Sequence, residues 1–314
     1  MNLREKRDAF SQSHPVINFL YFLLVIGSSM FCLQPLILGI SFLSAGIYAS
    51  YLKGSRQFFR RLLTFLLPGM VVVALLNPVF NHYGVTPLLI LENGNRITME
   101  AIAYGVVLAA VLGITLTWFT CYNAVMTTDK FVYLFGKILP ASSLVLSMVF
   151  RFVPKFSQQL AVVRQGQKSI GRDFSHGSMI QKMKHALTIF SIMITWSLEN
   201  AIETADSMKA RGYGLKGRSA FSLYRFDRRD GLLLSSLLLC SGVFFYFWRR
   251  GQFYTSYNPQ LIISLPKTFG ESLGYLSFLI LCNLPMILAV YEKIRWRQAR
   301  KIAGGAGSAT INHQ

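Results

Sequence analysis

Stretches without a formal charge recur along this chain at the length that a lipid bilayer demands, and no other feature restricts its fold so strongly. A helix rising about 1.5 Å per residue needs roughly 20 residues to cross about 30 Å of hydrocarbon. Residues 15–52 run for 38 positions without Asp, Glu, Lys or Arg, enough for two passes that turn near Gln34 and Pro35. Leu62–Phe80, Ala101–Val125, Gly231–Trp248 and Ser272–Val290 add four runs of 18 to 25 residues, so six spans are expected. Backbone polar groups in hydrocarbon must be satisfied within their own segment, which makes these spans helical. The composition agrees, since 14% charged and 53% hydrophobic residues lie far from the quarter charged of a soluble domain. A cytosolic enzyme fold and a disordered chain are thereby excluded.

The charge distribution sets the expected orientation. Thirty-two Lys and Arg against 13 Asp and Glu give a net charge of +19, a balance suited to nucleic acid, anionic headgroups or an acidic protein. With the N-terminus in the cytoplasm, segments 1–14, 53–61, 126–230 and 291–314 hold 28 of the 32 cations. Only Arg96, Arg249, Arg250 and Lys267 fall outside. The positive-inside rule then puts both termini in the cytoplasm, and the basic excess is topological rather than a sign of nucleic-acid binding. Arg4, Lys6 and Arg7 precede an apolar run too long for the core of a signal peptide, so the first span reads as retained. Cys32, Cys121, Cys240 and Cys282 each sit in an apolar run without a C-x-x-C, as small buried hydrophobes do. Trp118, Trp248 and Trp296 fall near span ends, where belt anchoring accounts for them. The Gly/Ala-rich residues 303–310 read as a flexible end.

Residues 126–230 do not belong in the bilayer. These 105 residues carry 16 basic and 7 acidic side chains and separate four N-terminal spans (1–125) from two C-terminal spans and a basic tail (231–314). The uncharged runs Ile138–Phe150 and Ala186–Leu198 are 13 residues each, too short to cross. Pro140 and Pro154 stand where helices are expected to start, because proline in the first turn wastes no hydrogen bond. Lys155–Ile170 reads as a helix stopped by Gly171, and a second runs from about Ile180 to Arg211, stopped by Gly212. On the second, Leu198, Ala201, Ile202, Ala205 and Met208 form an apolar stripe expected to pack closely, with Glu199, Glu203 and Asp206 on another face. Lys168-Ser169-Ile170-Gly171 and Lys209-Ala210-Arg211-Gly212 end the two helices alike. Two ordinary C-caps, or a pair of terminal plugs offered to a partner, would each explain that pattern.

Ala205-Asp206-Ser207-Met208-Lys209-Ala210-Arg211-Gly212-Tyr213-Gly214 resembles the Ala-Arg-Gly signature of the transmembrane T component (EcfT/CbiQ-like) of energy-coupling factor transporters, the ABC-type vitamin and metal importers. Thr127-Thr128-Asp129 resembles the start of that family's coupling region, Arg151-Phe152-Val153-Pro154 its Arg-Phe-Ile-Pro element, and Asp173-Phe174 with Gly177 the stretch after its first Ala-Arg-Gly. The likeness covers roughly residues 100–230. It departs at the first motif, where Ser169-Ile170-Gly171 replaces Ala-Arg-Gly and Arg172 stands two residues late, so Ile170 and Arg172 both remain open for that site. The resemblance implies an all-α membrane scaffold of six spans with two long coupling helices in the cytoplasm. It also implies two ABC-type ATPase subunits at the helix ends, a separate substrate-binding membrane S component, a plasma-membrane location and no cofactor.

No G-x-x-x-x-G-K-[ST], H-E-x-x-H or G-x-S-x-G occurs, so the chain lacks a phosphate-cradling loop of its own. The enzymatic alternative is a membrane prenyltransferase-like protein holding Mg²⁺ through Asn200, Glu203 and Asp206, with Glu199 a turn earlier. Pairing of that acidic face with Lys182, Lys184 or other cations explains it more simply. A self-sufficient carrier would place ionisable residues within its spans, and the six runs contain none.

Overall fold

The computed structural model describes residues 9–82, 84–90, 96–136, 140–171, 178–213, 224–264, 266 and 269–310. These residues divide into two units, 1–127 with 224–314 and 128–223.

The first unit is built from apolar helices. Pro15 opens α1 (Pro15–Phe31) and Pro35 opens α2 (Pro35–Lys53), each in the first turn, where the missing N–H costs nothing. The turn between them falls at Cys32–Gln34, as the sequence led one to expect. The next span starts earlier than its uncharged core: α3 (Ser55–Arg61) passes through a π-helical turn at Leu62–Leu66 into α4 (Leu67–Phe80). Arg56, Arg60 and Arg61 lie in this leading segment, ahead of the uncharged run. Then come α5 (Met99–Val125), α9 (Arg228–Arg249) and α10 (Phe269–Thr310). Among the described residues, five helical stretches are long and apolar enough to cross a membrane, and α1, at 17 residues, is a shorter apolar helix. The chain is an all-α, multi-pass integral membrane protein.

Among the described residues, two short antiparallel ribbons depart from a purely helical reading. β1 (Pro87–Ile90) pairs antiparallel with β2 (Arg96–Thr98), and β3 (Thr255–Ser256) with β4 (Ile262–Ile263), in the connections before α5 and α10. The Gly/Ala-rich stretch expected to be a loose end instead continues α10 to Thr310. Propagating an existing helix adds one bond per residue with no new nucleation cost, which offsets poor local propensity.

The core joins α1, α2, α5, α9 and α10, centred on Tyr21, Tyr48, Trp118, Phe244 and Phe278, all fully buried. Trp118 is therefore no belt residue. It is 0% exposed and its indole Nε1 donates to Ser41 Oγ at 2.9 Å, while Ser29 and Ser41 hydroxyls pair at 2.7 Å. Tyr21 donates to the Cys282 carbonyl at 2.8 Å and Asn283 to Ser44 Oγ at 2.9 Å, so polar bonds cross between helices inside an apolar bundle. The four cysteines are buried and free. Gly105 and Gly113 let α5 approach α4 closely: a Cβ on Gly105 would lie 2.7 Å from the Ala74 carbonyl oxygen.

The second unit holds α6 (Thr128–Gly136), α7 (Pro140–Ser169) and α8 (Met179–Ala210). Pro140 opens α7 as expected. Pro154 does not open a helix but lies inside α7, which runs through it for 30 residues, about 45 Å. A capping box opens α8, with the Ser178 N–H donating to Gln181 Oε1 at 3.2 Å.

Candidate functional site

The two long helices of the second unit end by the same backbone device. Gly171 has φ +79° and Gly212 φ +74°, left-handed conformations that cost an L side chain about 1–2 kcal/mol and glycine almost nothing. At the end of α8 the Gly212 N–H donates to the Lys209 carbonyl at 2.9 Å and the Tyr213 N–H to the Met208 carbonyl at 3.0 Å. Those two bonds make a Schellman motif, which satisfies carbonyls the helix would otherwise leave orphaned. At the end of α7 the Gly171 N–H donates to Lys168 at 3.0 Å in the equivalent register. Lys168 and Lys209 fall in the last turns, where positive charge complements the negative end of the helix dipole.

Arg211 is the C-cap of α8, with φ −84° and ψ 6°, so the guanidinium is carried at the helix end beside Ala210 and Gly212. The tip of α7 presents Ser169 and Ile170, the latter 71% exposed. An isoleucine so open to its surroundings adds little to the packing of its own helix. Arg172, Asp173, Phe174, Gly177 and Gly214, which the sequence comparison also singled out, lie outside the described residues.

Arg151 and Pro154 bring the α7 element into the same neighbourhood as the α8 tip. A cleft of about 700 Å³ between α7 and α8 is lined by Arg151, Pro154 and Lys155 on one side and Asn200, Glu203 and Arg211 on the other. Lys155 Nζ donates to Asn200 Oδ1 at 3.2 Å and stands 5.6 Å from the centre of the Trp196 ring. Phe156 meets Trp196 edge-on with ring centres 5.3 Å apart. The face of α8 turned to α7 is thus Trp196, Asn200, Thr204 and Met208. The apolar stripe expected to pack is instead largely open, with Leu198 62% and Ile202 65% exposed. Periodicity identifies an apolar face of a helix but not which face a neighbour occupies.

Glu199, Glu203 and Asp206 form no ion pair among the described residues, so their expected pairing with Lys182 or Lys184 is not what the structure holds. Among the described residues no three of His, Cys, Asp and Glu gather closely enough to hold a metal ion. Sequence reasoning missed Lys155 and Trp196, and it singled out Asn200 only as a ligand in the Mg²⁺ alternative. The spacing Arg151–Lys155, one helical turn, was the signal available for the first of them.

Fold and site define a multi-pass helical membrane protein with a helical module that ends in two glycine-stopped tips. The chain belongs to the family described as cobalt transport protein (CbiQ), whose family model matches residues 10–222. It is 32% identical over 102 residues to the energy-coupling factor transporter transmembrane protein EcfT of Lacticaseibacillus paracasei, covering 32% of this chain and 39% of that one. It is 30% identical over 139 residues to the protein of the same name from Streptococcus thermophilus, covering 44% and 53%. With the Listeria innocua protein it shares 33% identity over 109 residues, covering 34% and 40%. The matched stretch spans about half or less of the length of these relatives.

Proposed function

We propose that this chain is the transmembrane scaffold of an energy-coupling factor importer, passing ATP-driven motion from two ATPase subunits to a separate membrane protein that captures a vitamin or metal ion. The observation that carries this reading is the pair of glycine-terminated helix tips, one of them capped by Arg211. Each tip is closed by backbone bonds from its glycine to the last helical turn, so it can enter a groove without unfolding. The Arg211 guanidinium offers five donors in a planar fork that pairs with carboxylates or carbonyls. Ala210 and Gly212 beside it leave room for a groove to close. Helices of 30 and 32 residues, about 45 and 48 Å long, are levers long enough to carry a displacement at one end to the other. In this reading the second unit and both termini face the cytoplasm across a plasma membrane, the chain performs no catalysis, and substrate choice resides in the capture subunit.

The test is Arg211→Glu in the co-expressed assembly. Removing one partner of a buried charged pair costs roughly 2–5 kcal/mol at an interface, so the variant should insert normally, lose at least one ATPase on purification and abolish uptake. Normal uptake with both ATPases retained would overturn the docking reading.

A further inference from the structure

Inside the second unit, the cleft between α7 and α8 carries more positive charge than the single tip arginine explains. Arg151 and Lys155 from α7 and Arg211 from the end of α8 line it together, against one acid among the described residues, Glu203. Arg151 and Lys155 stand one helical turn apart on the same face, an arrangement in which like charges repel and weaken the helix. Among the described residues neither Arg151 nor Glu203 forms an ion pair. Gln158, Thr204 and Ser207 add neutral hydrogen-bonding groups to the wall. Among the described residues the tip of α7 has no counterpart, since Ser169 and Ile170 lie outside this lining.

We infer that the cleft receives a carboxylate side chain of an ATPase partner, held by Arg151 and Lys155 together with Arg211, so that the second docking site is a two-helix receptor rather than a helix tip alone. This rests on the scaffold reading given above. Two guanidiniums and an ammonium converging on one space favour an anion, and the arginine fork matches a carboxylate with two parallel bonds. Glu203 on the wall favours a singly charged carboxylate over a phosphate dianion. Continuity with Arg211 makes the protein engaged by that tip the source. Lys155 is already oriented by Asn200 and by the Trp196 ring, so little side-chain freedom is lost when the anion arrives.

The experiment uses the complete assembly in nanodiscs and measures ATPase dissociation constants across a salt series. Arg151→Gln should raise the constant about tenfold and flatten its salt dependence, with Arg151→Lys restoring most of the loss. Glu203→Gln should tighten binding a few-fold, a gain that misfolding would not produce. A carboxylate-to-arginine change on the ATPase that rescues Arg151→Glu would identify the occupant. If Arg151→Gln binds like wild type, or Glu203→Gln fails to tighten, the cleft inference falls while the scaffold stands. If Arg151→Gln weakens binding to phosphatidylglycerol vesicles and leaves the ATPases untouched, the occupant is a lipid headgroup and the inference is wrong. Failure of the wild-type chain to hold ATPases at all would overturn both readings.

Discussion

Replacing Gly212 by alanine tests whether the shape of the α8 tip, and not only its charge, underlies docking. The residue sits at φ +74°, where a Cβ crowds the following carbonyl and costs about 1–2 kcal/mol. The two bonds of the motif, from Gly212 to Lys209 and from Tyr213 to Met208, exchange for water when the tip opens, so the conformational term dominates. Docking has to restore that amount, which raises the apparent dissociation constant for the ATPase by up to about 5- to 30-fold. Gly212→Asn is the control, because asparagine tolerates the left-handed region better than alanine does. Both variants keep Arg211, so a charge-only account predicts no effect from either. The assay is binding of purified ATPase to nanodisc-embedded protein, with insertion checked by yield. Equal affinities for wild type and Gly212→Ala would refute the reasoning, as would an asparagine variant no better than alanine.

At the other tip, Ile170→Arg should preserve ATPase capture and uptake, since it supplies the guanidinium present in the second motif, whereas Ile170→Asp should impair both; identical behaviour of the two would show that this end does not dock as aligned. In the membrane unit, Gly105→Ala forces a Cβ to within 2.7 Å of the Ala74 carbonyl and should destabilise the protein by about 1–3 kcal/mol, read as a lower midpoint of thermal unfolding in detergent.

The parts of the fold written most clearly in the chain are those with only one physical solution. Uncharged runs such as Ala101–Val125 must become helices because hydrocarbon offers no other partner for the backbone. Gly171 and Gly212 could be read as stops because few other residues suit a left-handed cap. Pro154 is misread from sequence as a helix start, because the same ring fits the first turn of one helix and a tolerated interior position of another, and only tertiary packing decides between them. The place of Trp118 near a span end suggests an interface anchor, but its indole N–H bonds to Ser41, 77 positions away in sequence, inside the bundle. The cleft was hidden for a similar reason. Arg151 and Lys155 could be paired by their spacing, but Asn200, Glu203 and Arg211 come to them from another helix, and no local pattern encodes that crossing.

Hydroxyls and amides spaced through the membrane bundle act as rotational pins. Trp118 on Ser41, Tyr21 on the Cys282 carbonyl and Asn283 on Ser44 tie α5, α1 and α10 to their neighbours at three separate points. Oily surfaces slide past one another at little cost, but a hydrogen bond in hydrocarbon breaks only at the expense of leaving a polar atom bare. No single helix among these can therefore spin about its axis without releasing a neighbour, and the bundle should answer a change in bilayer thickness by leaning as one block.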